Sequence, residues 1–305
     1  MSKKLLTVTI AVCALDEEAN IGFLLDSIAS QKEEGFILEK ILIISDGSTD
    51  RTVEIVKSFK SSKIQIIDHK QRLGKSTRLN EIYSSVKSDI VVQPDADVIL
   101  GDNYVLKNIV VPFYEGDMIG MTGGNPLPLP AKNFLEKAVN YTLEAYNPFR
   151  KILTGGNNIL SATGRLLALR REVFSKIKVP RETIANDGFV YFCTIMQKYQ
   201  YRFAQNATVY FRSPQTLKDH ISQSTRFAAT HIWMKQYFPA EVVEREYFIP
   251  PNELREKMIE IFKKHPIHCF CIFLINRYCE LKALILKKKI TALWEIVYST
   301  KKLRS

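Results

Sequence analysis

Apolar runs alternate with amphipathic stretches through the first 122 residues, and this alternation restricts the fold more than any other feature of the chain. The runs fall at 6–14, 40–45, 64–68, 90–94 and 118–122, and stretches of helical period at 21–31, 52–59, 76–86 and 104–114 separate them. Strands interleaved with helices at this spacing are βαβ units, with right-handed crossovers and strands in one mostly parallel sheet. An α/β fold follows, its sheet flanked by helices. In such a sheet the C-terminal ends of the strands share an edge, and ligands bind in the crevice outside it.

Three of those strand ends carry polar clusters: Asp16-Glu17-Glu18, Asp46-Gly47-Ser48-Thr49-Asp50 and Asp95-Ala96-Asp97. The topology predicts that they converge. Asp95 and Asp97 follow the apolar strand that ends Val91-Val92-Gln93-Pro94. Two carboxylates at i and i+2 can share a hard divalent cation whose remaining ligands come from a substrate phosphate; a solvated turn is the other reading. Asp50, with Arg51-Thr52 behind it, reads as a helix N-cap, whereas Asp46 has no such structural duty. Gly74-Lys75-Ser76 resembles the end of a P-loop, but the upstream glycine of that pattern is missing, which excludes a P-loop NTPase. Gly74 can still open a helix and Lys75 can set a cation beside a diphosphate.

The second half changes character. A long helix rich in aromatic residues is expected over 131–150. Leu160-Ser161-Ala162-Thr163-Gly164 follows as a strand whose small residues let a substrate approach the backbone. Asn186-Asp187-Gly188 opens a helix over 189–198, where Asp187 is either an N-cap or a base. A further helix over 216–237 carries Gln223 and Arg226 at i and i+3, on one face, followed by Phe227.

In this order and spacing the motifs resemble glycosyltransferase family 2 of the GT-A fold. More narrowly they resemble its Q-x-x-R-W branch, with cellulose, chitin and hyaluronan synthases and related lipid glycosyltransferases, over roughly residues 7–227. The resemblance implies that Glu17, in Leu15-Asp16-Glu17, meets the nucleotide. Asp46, in Ser45-Asp46-Gly47-Ser48-Thr49-Asp50-Arg51-Thr52, would meet the uracil. Lys75, in Gly74-Lys75-Ser76-Thr77-Arg78-Leu79-Asn80, would stand near the phosphates. Asp95 and Asp97 would hold ribose, diphosphate and Mg²⁺ or Mn²⁺. Asp187 in Ala185-Asn186-Asp187 is the implied catalytic base. Gln223-Ser224-Thr225-Arg226-Phe227 corresponds to the branch signature, with Gln223 and Arg226 toward the nucleotide sugar and Phe227 toward the acceptor. Asp16, Asn186 and Phe227 depart from the usual Asn, Glu and Trp, so the acceptor face loses an indole N–H.

The activity implied is inverting transfer of a sugar from a nucleotide-diphosphate donor, UDP-linked in expectation, to a hydroxyl of a glycolipid, lipid-linked or polysaccharide acceptor. Neutralised diphosphate is the leaving group, a positioned carboxylate takes the acceptor proton, and no second carboxylate is placed to act as a covalent nucleophile. A polyprenyl-phosphate sugar synthase is the nearest rival, though such enzymes normally lack the Gln223…Arg226-Phe227 element. A non-catalytic nucleotide-sugar-binding subunit is a rival of another class, and it would be expected to have lost a carboxylate from the set Asp95, Asp97 and Asp187.

Charge distribution bears on partners. The formal net charge is +11, and residues 250–305 hold 12 Lys/Arg against 5 Asp/Glu, a local +7. No zinc-finger spacing, RNP-like strand or arginine-rich arm points to nucleic acid; an anionic membrane surface is the expected partner of this tail. Residues 1–240 are read as the GT-A domain and 241–305 as a basic helical appendage. The apolar segment 266–286 includes Asn276, Arg277, Glu280 and Lys282, with Lys263-Lys264 before it and Lys287-Lys288-Lys289 after. That pattern suits a helix lying in a membrane interface rather than spanning it; packing on the protein's own core is the alternative. Five scattered cysteines fit a reducing compartment. His265, His268, Cys269, Cys271 and Cys279 lie among apolar neighbours, as in a hydrophobic helix rather than a soft-metal site. Asp16-Glu17-Glu18 ends the first apolar run where a leader peptide would need a cleavage site. The expected location is cytoplasmic, peripheral or monotopic at the membrane.

Overall fold

The computed structural model describes residues 4–285, 298–300 and 303. The N-terminal half runs β1 (Leu6–Ala14), α1 (Ile21–Ala29), β2 (Phe36–Asp46), α2 (Thr52–Ser58), β3 (Ile64–His69), α3 (Lys75–Ser85), β4 (Ile90–Pro94), β5 (Val98–Leu100), α4 (Val105–Val110) and β6 (Ile119–Pro128). After it come α5 (Phe134–Ile152), β7 (Leu166–Arg170), α6 (Arg171–Phe174), α7 (Asn186–Met196), β8 (Gln200–Phe211) and α8 (Leu217–Met234). The chain then continues through α9 (Ala240–Tyr247), α10 (Pro251–Lys264) and α11 (Pro266–Ile285).

The eight strands among the described residues form one sheet in the order β3-β2-β1-β4-β7-β6-β8-β5. The neighbours β3, β2, β1 and β4 are mutually parallel, as the βαβ pattern requires. Beyond β4 the sheet is mixed: β7 is antiparallel to both β4 and β6, β8 is parallel to β6, and β5 is antiparallel to β8. Along β1, β2 and β4 successive side chains enter two different cores. Ile10, Val12, Ile43 and Val92 join α1 and α4 on one face, while Ala11, Leu42, Ile44 and Val91 join α3, α7 and α8 on the other. A sheet covered on both faces needs near-continuous apolar strands rather than alternation, and β4 is buried along its whole length.

Several expectations are corrected. The segment 160–164 is a turn, and the strand begins only at Leu166. Local side-chain bonds compete with extended pairing there: Asn158 donates to the carbonyls of Arg150 and Leu153, and Ser161 Oγ donates to that of Gly156. The helix expected over 104–114 divides into α4 and a 3₁₀ turn at Val111–Tyr114, with Pro112 at the break. β2 starts at Phe36, four residues before its expected start.

The tail helices pack back on the body. Val243 of α9 and Ala283 of α11 are buried in the α3/α7/α8 core. Ile272 joins Ala138 and Val139 of α5, and His265 and His268 stack on Tyr141 and Phe134. Farther on, Leu303 is buried; its N–H donates to Asn20 Oδ1 and its carbonyl accepts from Arg212. Lys287, Lys288 and Lys289 lie outside the described residues.

Candidate active site

The parallel half delivers the three polar clusters to one sheet edge, and cross-bonds between loops organise them. Asp16, at a positive φ of 51°, accepts from Thr49 N–H at 2.7 Å. Asp50 accepts from Thr52 N–H, at the first residue of α2, and from Glu18 N–H, both at 2.9 Å, but the N-cap position expected for it is held by Arg51. Glu17 is buried, with Asn20 Nδ2 on its carboxylate at 3.0 Å and its own N–H on Thr52 Oγ1 at 2.7 Å.

Asp46 has a structural duty that its sequence position did not reveal. Oδ1 accepts from Leu73 N–H and from Arg78 Nε, and Oδ2 accepts from Gly74 N–H at 2.8 Å. Arg78 and Asp46 form a buried ion pair, with side chains 3% and 6% exposed. The carboxylate therefore ties the end of β2 to the loop that leads into α3. Gly47 makes this possible: its φ is +82°, and a Cβ there would meet Arg72 N at 2.9 Å.

The loop held by Asp46 sets Lys75 at the first position of α3, where Nζ makes an ion pair with Asp95 Oδ1. Burial works against the Lys75 charge, but Asp95, its hydrogen bond and Asp187 outweigh burial and hold the pKa above the ordinary lysine value. One turn of chemistry away, Asp187 stands in the first turn of α7. Its Oδ2 accepts from Gly164 N–H at 3.0 Å and its Oδ1 from Gly188 N–H at 2.9 Å. Gly164 separates the two carboxylates: a Cβ added there would lie 3.5 Å from Asp95 Oδ2 and 3.8 Å from Asp187 Cβ. The expected small-residue segment thus does meet the site, as a loop rather than a strand.

From the opposite side α8 brings in Arg226. Burial pushes its guanidinium down to about 10, with Asp187 and Asp95 acting in the other direction. Phe227 is 54% exposed, and the Arg226 guanidinium lies 5.4 Å from its ring centroid. Gln223, one turn earlier on α8, is half-buried. A cavity of about 30 Å³ lies among Cys13, Lys75, Asp95, Gly164, Asn186 and Asp187. Burial, opposed by Lys75, pushes the Cys13 thiol up to about 12, so it stays protonated at neutral pH. A shallower polar cleft of about 610 Å³ at the β5–β8 edge shares no residue with this site.

Sequence reading missed three contributors. Arg78 is buried against Asp46. Asn186 Oδ1 accepts from Ser76 Oγ at 2.9 Å and so links α7 to the Lys75 helix. Arg165 lies over the Phe211 ring, 3.5 Å from its centroid, and burial lowers its pKa with Asp95, Asp97 and Asp187 acting in the other direction. The run before Gly164 drew attention to the segment, but nothing local signalled the arginine, because its partners are 68 to 70 residues earlier and 22 later.

As a metal site, Asp95 and Asp97 offer two hard oxygen donors next to a cation-lined cavity. Among the described residues no group of three His, Cys, Asp or Glu side chains converges on a common point. Such a donor set fits a Mg²⁺- or Mn²⁺-sized ion that draws its other ligands from phosphate and water, not a closed protein cage.

The family model described as Glycosyl transferase family 2 matches residues 9–178. The O-antigen chain rhamnosyltransferase of Salmonella typhimurium is 26% identical over 188 residues, covering 58% of this chain and 58% of that protein. A poly-beta-1,6-N-acetyl-D-glucosamine synthase of Staphylococcus epidermidis is 30% identical over 105 residues, covering 33% of this chain and 24% of that protein. The chain therefore spans well under two thirds of either relative. Among solved structures, a mannosyltransferase of Pyrobaculum calidifontis in complex with GDP-Man and Mn²⁺ aligns with a TM-score of 0.59 at 17% identity, covering 93% of this chain and 74% of that one. Glucosyl-3-phosphoglycerate synthase of Mycobacterium tuberculosis, with Mn²⁺, UDP and phosphoglyceric acid, aligns at 0.54 and 20% identity, covering 77% of this chain and 80% of that one. These two alignments establish the shared GT-A fold.

Proposed function

Since the chain belongs to glycosyl transferase family 2 and is a hexosyltransferase of the GT-A fold, we propose that it moves a sugar from a nucleotide-diphosphate donor, UDP-linked by family resemblance, to a hydroxyl of a lipid-linked or polysaccharide acceptor, with inversion. One observation carries this reading: Asp187 and the Lys75–Asp95 pair flank Gly164 at the rim of a single cavity.

Asp95 and Asp97 would hold the divalent ion, which, when bound, supplies charge neutralisation to the departing diphosphate. The solved structures that contain Mn²⁺ support this assignment. Lys75 and Arg226 add fixed positive charge to the leaving-group side, in a site where half-burial strengthens each contact. Asp187 takes the proton of the acceptor hydroxyl. Its two backbone donors, Gly164 and Gly188, hold the carboxylate in one orientation. The names of the two relatives, both of which build polysaccharide, support an acceptor that is a growing glycan.

We also propose that the chain works at an anionic membrane surface. No helix among the described residues is long and apolar enough to cross a membrane. On α11, however, Ile267, Phe270, Leu274, Tyr278, Leu281 and Ile285 are each at least half exposed and recur at helical spacing. Exposed Met258, Ile259 and Phe262 extend the apolar surface onto α10, near Lys263 and Lys264. A stripe of this kind, with cations beside it, suits a helix lying in the headgroup region.

The test of transfer is a panel of nucleotide sugars with Mn²⁺, following release of free nucleotide diphosphate. Asp187→Asn is expected to lower release by about 10²-fold or more and to leave nucleotide binding within twofold. Near-normal turnover in that variant would remove Asp187 from the base role.

A further inference from the structure

The Glu17 carboxylate is held from behind by a residue late in the chain. Asn20 uses both ends of its carboxamide: Nδ2 donates to Glu17 Oε2 at 3.0 Å, and Oδ1 accepts from Leu303 N–H at 3.1 Å. A backbone N–H can only donate, so Leu303 decides which end of the amide is oxygen and leaves Nδ2 for the carboxylate. Asn20 is fully buried, and Leu303 stands 283 positions away from it in the sequence.

Leu303 is itself anchored. Its side chain is buried, and its carbonyl accepts from Arg212 Nη2 at 3.1 Å. Arg212 Nη1 pairs with Glu136 Oε1 at 2.9 Å, both side chains being buried. Glu136, in the first turn of α5, also accepts from Gln215 Nε2 at 3.1 Å. Slightly earlier the same segment reaches α8. Ser299 N–H donates to Asp219 Oδ2 at 3.0 Å, and Ser299 Oγ accepts from Gln215 N–H at 3.1 Å. Asp219 lies in the first turn of α8, with Gln223 and Arg226 following at i+4 and i+7 on the same face. The segment thus grips the loop after β1 and the start of α8, two elements that border the site from different sides.

Burial makes the Asn20 contact matter at Glu17. With the Leu303 N–H in place the amide is satisfied at both ends. Without it Oδ1 becomes a buried acceptor lacking a donor, which regains one only if the side chain turns or water enters. Either change disturbs the Nδ2 bond that orients the Glu17 carboxylate.

We infer that residues 298–300 and 303 act as a strap that positions the donor site, with Asn20 as the positioning residue through which Leu303 sets Glu17. The inference rests on the transferase reading above, with Glu17 on the nucleotide side, and adds a support for that side from the appendage.

The experiment is calorimetry on the chain with Mn²⁺ and whichever of UDP, GDP or dTDP binds. Leu303→Pro removes the N–H that Asn20 accepts and is expected to weaken nucleotide binding about fivefold, the equivalent of one hydrogen bond. Glu17→Ala is expected to weaken it too. The double variant should bind no more weakly than Glu17→Ala alone, because the strap acts through that carboxylate. A contact that only stabilises the fold would lower the melting temperature without this coupling. Should Leu303→Pro fail to fold, the chain shortened to residue 297 carries the same comparison. Unchanged affinity in a folded variant without the Leu303 contact, or losses that add in the double variant, would overturn this inference alone. Failure of every nucleotide diphosphate to bind the unaltered chain would overturn the transferase reading and, with it, this one.

Discussion

Asp46 and Asp187 are both aspartates at the head of a polar cluster, yet the structure uses them in opposite ways. Among the described residues every hydrogen bond of the Asp46 carboxylate is internal: two backbone N–H groups and the buried Arg78 fill it. Removing it strands a guanidinium that is 3% exposed. Asp46→Ala is therefore expected to lower stability by about 3–5 kcal/mol, read as a shift in the urea midpoint. A loss below 1 kcal/mol would show that the pair is not holding the loop. Asp187, by contrast, accepts only from the Gly164 and Gly188 N–H groups among the described residues, at the cavity rim. Asn at this position keeps one of those two hydrogen bonds and sets its NH₂ against the other donor, so the melting temperature of Asp187→Asn is read beside its turnover. The motif around Asp46 was legible; its role was not, because Arg78 lies 32 positions away and only the α3 crossover brings it back.

At the scale of elements, legibility followed periodicity. The runs that became β1 and β4, and the stretches that became α1 and α3, are long and regular enough to be read directly. β5 is three residues long and β7 five, too short for any period to emerge, and the 160–164 turn depends on side chains that bond back to the loop. The pairing of α8 with α11 was equally hidden, and it buries an ionisable group. His220 of α8 is 5% exposed and bonds Asn276 of α11 at 2.9 Å. Burial, only partly offset by that bond, lowers its pKa below the ordinary 6.5. The unfolded chain then binds the proton more readily than the folded one, so stability is unaffected by this group above pH 6.5. It declines as pH falls below that value and levels off once the folded pKa is passed. Urea midpoints measured from pH 7.5 to about 5 should show this decline, and His220→Gln should flatten it; identical slopes in both proteins would exclude His220 as the source.

For the whole molecule, the appendage joins two properties that a sequence presents as alternatives. α11 buries Ile272, Cys279 and Ala283 toward the body while exposing the stripe from Ile267 to Ile285 on its other side. The helix can therefore pack on its own protein and still offer an apolar face. In flotation with vesicles containing phosphatidylserine, the chain should rise with the lipid at low salt and less so as salt screens the lysines. The double substitution Phe270→Glu and Leu274→Glu should abolish flotation without moving the melting temperature, since both side chains are at least half exposed. Indifference of the unaltered chain to anionic vesicles would remove the membrane from its partners.

The sequence by itself determined the alternating α/β order, the shared edge for its polar strand ends and the family motifs, because each depends on residues close together along the chain. Only the tertiary structure decided that Asp46 binds the buried Arg78, that Gly164 stands between Asp95 and Asp187, and that Lys75 pairs with Asp95. Those are contacts between segments tens of residues apart, and their geometry is set by the packing of helices on a sheet rather than by any local preference of the chain.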